Sequence, residues 1–170
     1  PTLVEYLDHP NLWWRTNAQR LLTDRKDADA ASLINALMLR NISAEGKIHA
    51  LWTLQGLNAL PDSVIMNAFQ DGKSIVRKQA IVLAEERIEN SAVLEKILQA
   101  SSDSDPYVQF QAALTLSTVT NPNDKIFEAQ HRVLSDHIHN KWFQRAILLG
   151  SSENGIKWFD TFKDFNGEKD

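Results

Sequence analysis

Apolar residues recur at intervals of three and four along almost the whole chain, as in Leu33, Ile34, Leu37 and Met38 or Val93, Leu94, Ile97 and Leu98. That spacing places them on one face of an α-helix, and no stretch alternates apolar and polar residues as a half-buried strand would. The pattern predicts helices over 2–7, 11–24, 28–40, 45–58, 61–70, 74–88, 91–101, 106–119, 123–136, 140–150 and 154–165. Short connections rich in Asp, Asn, Ser, Gly and Pro separate them, so successive helices are expected to run as antiparallel neighbours.

The chain also matches itself. The pentads Trp14 to Ala18, Gly46 to Ala50, Val76 to Ala80, Val108 to Ala112 and Trp142 to Ala146 end on alanines spaced 32, 30, 32 and 34 residues apart, each followed by an apolar stretch. Nine or ten residues before four of these alanines stands an aspartate in a turn-like setting: Asp8, Asp71, Asp103 and Asp136. An aspartate there can cap the next helix, and the small alanine lets two helices approach closely. The Arg or Lys three residues before the alanine is expected to reach an aspartate in a neighbouring turn. The predicted repeats are 1–25, 26–59, 60–89, 90–120 and 121–152. The aromatic tail Ile156, Trp158, Phe159, Phe162 and Phe165 forms a cap over 153–170. Such hairpins bury their apolar faces against one another, so the expected fold is an all-α solenoid of about five helical hairpins.

The pattern Asp-x-x-x-x-Val-Arg-x-x-Ala, present as Asp71 to Ala80 and degenerately as Asp103 to Ala112, resembles the HEAT repeat, in particular the short variety also found in phycobilin lyase-like proteins. The resemblance implies a right-handed α-α superhelix. The runs His9 to Leu22 and His49 to Leu57 are similar to the HEAT segment of large bacterial membrane-bound dehydrogenase or haem-binding proteins. In that family the segment lies between a propeller and a cytochrome c domain, and the whole is exported. This likeness implies an extracytoplasmic setting and a place within a larger protein; the very short opening helix also suggests a segment of a larger protein. It does not imply a cofactor here, because the family's haem needs Cys-x-x-Cys-His and the chain has no cysteine.

Composition narrows the function further. With 170 residues and 43% hydrophobic content the chain suits one domain. A net charge of −4 offers no general attraction to nucleic acid. A DNA-binding alternative would need Arg15, Lys47, Arg77, Lys78 and Arg145 in line, where turn aspartates compete for three of them. No apolar run approaches the roughly 18 residues of a membrane span. His131, His137 and His139 near Asp136 suggest a metal, but their spacing does not make one ligand face on a helix. No phosphate-binding glycine loop, nucleophile elbow or zinc-protease helix is present, so neither catalysis nor a cofactor is expected.

The most unusual cluster is Trp13, Trp14 and Arg15 with Arg20 and Trp52. Trp14 shares a helical face with Ala18, Leu21 and Leu22 and is expected in the core, whereas Trp13 lies about 100° away and should be exposed. Aromatic and Arg side chains dominate binding hot spots. Trp13, Arg15, Arg20, His49 and Arg77 are therefore the candidate partner-binding residues of a non-catalytic scaffold that engages another protein or adjoining domains. An accessory role in an exported haem-linked dehydrogenase is the alternative that the resemblance implies.

Overall fold

The structure, a computed structural model, describes residues 2–26, 29–120, 122–149 and 158. All regular structure among them is helical. The chain divides into two compact units, 1–86 and 87–170. The first opens with a 3-10 helix, Leu3–Asp8, and continues through α1 (Leu12–Arg25), α2 (Ala30–Met38), α3 (Ala44–Gly56), α4 (Asp62–Ala68) and α5 (Ser74–Ala84). A 3-10 turn, Glu85–Arg87, leads to the second unit, which holds α6 (Ser91–Ala100), α7 (Pro106–Leu116), α8 (Asp124–Asp136) and α9 (Lys141–Leu148). The helix expected at 154–165 falls outside the described residues except for Trp158.

Local chemistry sets the ends of these elements. Asn11, Asn90, Asp105 and Asn140 each accept from the backbone N–H two residues on, and Ser43 and Asn123 from that three residues on. The opening segment is 3-10, and Pro10, which lacks an N–H, prevents it from running into α1. α1 stops at Lys26, in the left-handed region with φ 49°, and its N–H returns to the Thr23 carbonyl.

Counting from these helix starts gives a common frame for α1, α3, α5, α7 and α9. The fourth residue of each is Arg15, Lys47, Arg77, Gln109 or Gln144. Four of the five side chains donate to the backbone carbonyl six residues upstream: Arg15 to His9 (2.6 Å), Arg77 to Asp71 (2.8 Å), Gln109 to Asp103 (2.7 Å) and Gln144 to Ile138 (2.7 Å). For Arg15 this replaces the expected bond to a neighbouring aspartate, its guanidinium being held by the His9 and Pro10 carbonyls. Lys47 follows the expected reach to a neighbouring turn, its Nζ lying 2.6 Å from Asp71 Oδ2 in the next repeat's turn. The bond to the upstream carbonyl closes these four turns, which a long donor does whether or not it is charged.

The same frame shifts two of the turn aspartates. Asp71 and Asp103 do not cap their helices directly; each accepts the N–H two residues on, from Lys73 and Asp105. In the first repeat the equivalent group is the His9 ring, whose Nδ1 accepts from Asn11. Asp8 instead reaches the start of α3, where Oδ1 accepts from Ser43 N and Oγ. In the last repeat the place belongs to Ile138, and Asp136 is the final residue of α8.

The five repeat alanines Ala18, Ala50, Ala80, Ala112 and Ala146 are all at most 1% exposed. The first four are the seventh residues of their helices. In α9 that place is taken by Ile147, so the last repeat runs one residue out of step with the alanine spacing. Within the first unit α3 packs against α1 and α5, and within the second α7 packs against α6, α8 and α9. Ala113, Val133, Leu134, Phe143, Ile147 and Trp158 form one buried cluster in the second unit.

Candidate functional site

The start of α1 carries a stack of rings. Trp13 is 61% exposed and meets Trp14 edge-on at 4.8 Å. Asn11 Oδ1 accepts from its backbone N–H, and Asn17 donates to its carbonyl. Trp14, expected in the core, is 44% exposed, which corrects that reading. Its helical face is the one shared with the buried Ala18 and Leu22, but the rings over it are those of Tyr6 at 5.2 Å, His9 at 5.9 Å and Trp13. The corresponding third residues Val76, Val108 and Phe143 are buried in their own units. An indole covered mainly by rings from one short stretch of chain is not.

The other candidate residues separate into two groups. Arg20 is at the surface, its side chain 60% exposed, with Asp24 3.4 Å away. Arg15 is buried, its guanidinium engaged by the His9 and Pro10 carbonyls, so it is not available to a partner. Arg77 is half-buried and holds its turn. His49 is half-buried, with Nδ1 2.7 Å from Gln19 Oε1, a bond joining α3 to α1. Trp52 makes the matching link to α5, donating to Gln79 Oε1 at 2.9 Å. Of the cations that a nucleic-acid face would need, Arg15, Lys47 and Arg77 are therefore tied to groups of the chain itself, and Arg145 lies over the Trp142 ring.

Electrostatics at these links favour particular protonation states. Burial of the Asp71 carboxyl raises its pKa, but the bonds from Lys47 Nζ and Lys73 N and the nearby Lys47 and Arg77 charges outweigh that, so the net shift is downward. His49 is pushed below the ordinary histidine value, first by burial and then by the positive charge of Arg15. Below the unfolded value of about 6.5 the unfolded state therefore binds the proton more readily than the folded one. The His49 contribution is fully present above that pH and is lost as pH falls from it toward the depressed folded value. Urea midpoints measured from pH 7.5 to 5 should fall on acidification, and less steeply in His49→Gln. An unchanged slope in that variant would show that His49 does not carry the effect.

The structure disperses the three histidines of the second unit. His137 stacks on Phe143 with ring centroids 3.9 Å apart and holds Gln109 Oε1 at 2.6 Å through Nε2. His131 lies on α8 beside Ser135, and His139 lies in the turn before α9. Among the described residues no group of three or more His, Asp or Glu side chains is placed to hold a metal ion.

Two hollows escape a reading of the sequence alone. One, of about 710 Å³, follows α8 past Asp124, Phe127, Glu128, His131 and Arg132 to Trp158, and its lining mixes both charges. The other, of about 470 Å³, lies between α7 and α9 and is lined by Phe110, Leu114, Trp142, Arg145 and Leu149 among others. At its edge Trp142 is 66% and Leu149 74% exposed. Trp142 also belongs to a pattern visible once the chain is counted from its helix caps: Trp13, Tyr107 and Trp142 are the second residues of α1, α7 and α9 respectively. All three are exposed by more than 60%. Comparison of the chain with models of known protein families, with curated proteins and with solved structures found no significant match.

Proposed function

We propose that the chain is an array of HEAT-like helical hairpins, wound as a right-handed superhelix, that works without catalysis by presenting side chains to another protein or to adjoining domains. The observation that supports this reading is the repeated placement of large exposed rings at one helix position, Trp13, Tyr107 and Trp142. Each follows a capping Asn or Asp that accepts from its own backbone N–H, so the base of the side chain is fixed before any partner arrives. Rigid aromatic anchors lose little entropy on binding, which is why few of them suffice for affinity. The chain's long polar side chains close turns and join helices, and this is the chemistry of a stiff support.

Trp13→Ala tests the proposal. The variant should lose a partner captured from native-source extract by the unaltered protein, and Arg20→Ala should weaken the same capture. Trp13 is mostly exposed but packs on Trp14, so stability should fall by only about 1 kcal/mol. That corresponds to roughly 2–4 °C in melting temperature for a chain of this size. Unfolding of the variant, or undiminished capture by it, would remove Trp13 from the binding surface.

A further inference from the structure

We infer that the hollow between α7 and α9 is a docking groove for an amphipathic helix of another protein, one carrying large apolar side chains on one face and a carboxylate placed to meet Arg145. This rests on the scaffold reading above and names the chemistry of one partner segment. Phe110 and Leu114, four residues apart on α7, form one wall, and Trp142 and Arg145 on α9 with Leu149 at its C-terminal end form the other. Two helical walls with an open top fit an amphipathic helix laid into an apolar groove.

The floor is built before a ligand arrives. Phe110 packs edge-on against Phe143 at 5.2 Å, Phe143 lies flat on His137 at 3.9 Å, and His137 is held by Gln109. Gln109 in turn is bound to the Asp103 carbonyl. Apolar side chains entering the groove therefore meet rings already fixed by hydrogen bonds and packing, which lowers the ordering cost of binding.

Charge selects the occupant. Among the described residues that line the groove Arg145 is the charged one, although the chain as a whole carries a net charge of −4. Its guanidinium carbon stands 5.3 Å from the Trp142 ring centroid, an arrangement that holds the cation at the rim over an apolar surface. A carboxylate on the incoming helix can pair with it, whereas a lysine there would meet like charge.

The test uses the whole chain and a fluorescein-labelled 16-residue helical peptide with Leu and Phe at i, i+3, i+4 and i+7 and Glu on the flanks, read by fluorescence anisotropy. A second peptide carries Lys in place of Glu. The acidic peptide should bind at least tenfold more tightly than the basic one, Arg145→Glu should reverse that preference, and Trp142→Ala should weaken both. Equal affinity for the two peptides, no measurable binding, or a preference unchanged in Arg145→Glu would overturn the inference. Self-association of the chain that Trp142→Ala abolishes would overturn it too, by making a second copy the occupant. If the peptides fail while capture through Trp13 persists, the groove is wrong and the scaffold stands. If the peptides respond to Arg145 while Trp13→Ala changes no capture, the groove stands without the Trp13 surface.

Discussion

Phe143→Ala should cost the second unit roughly 3–5 kcal/mol, the range for truncating a buried phenylalanine. The ring is 6% exposed and stands in the cluster with Val133, Leu134, Ile147 and Trp158. Two further rings depend on it, Phe110 at its edge and His137 on its face. Collapse of the cavity would have to break both contacts and the Gln109–His137 bond, so little relief is available. Phe143→Leu keeps most of the volume and should cost markedly less, about 1–2 kcal/mol. Equilibrium denaturation in urea decides the matter. A loss under about 1 kcal/mol in Phe143→Ala would show that the site closes up easily, contrary to the packing described.

Gly46→Ala should destabilise the first unit by roughly 1–3 kcal/mol, even though alanine is intrinsically the better helix former by about 1 kcal/mol. Gly46 is helical and needs no unusual backbone angle; its constraint is space. A methyl group there would run into the Asp8 carboxylate, far inside van der Waals contact. Asp8 cannot withdraw freely, because its Oδ1 accepts from Ser43 N at 3.0 Å and from Ser43 Oγ, and that same Oγ accepts from Gly46 N at 2.9 Å. Moving the carboxylate loosens the cap of α3. The background variant Asp8→Ala removes the obstacle, so within it the effect of Gly46→Ala should vanish or change sign. A double-mutant cycle should therefore return a coupling of about 1–3 kcal/mol. Additive effects would mean that the clash is relieved elsewhere.

Much of the helical fold is readable from the chain because it follows from size and periodicity. An alanine needed where helices approach closely has few substitutes, and all five repeat alanines are buried. Helix starts are equally plain, since Asn, Asp and Ser mark most of them. What sequence matching obscures is function shared by unlike residues. Arg15, Arg77, Gln109 and Gln144 make one kind of bond, and Asp71, Asp103 and His9 another, so matching by charge pairs Asp8 and Asp136 with the wrong positions. Trp14 shows a second difficulty, because periodicity assigns a face and says nothing of how much lies above it. The α7–α9 groove shows a third: its walls come from distant stretches of the chain, and only the packing of the two helices brings Leu114 and Leu149 to one hollow.

The bond from the fourth helical residue to the carbonyl six positions back selects reach and donor geometry, not charge. Arginine and glutamine satisfy it at nearly the same length, 2.6–2.8 Å. At these four positions a cation and a neutral amide therefore close the same kind of turn. The charge presented at this position can thus change from one turn to the next while the backbone beneath it keeps the same closure.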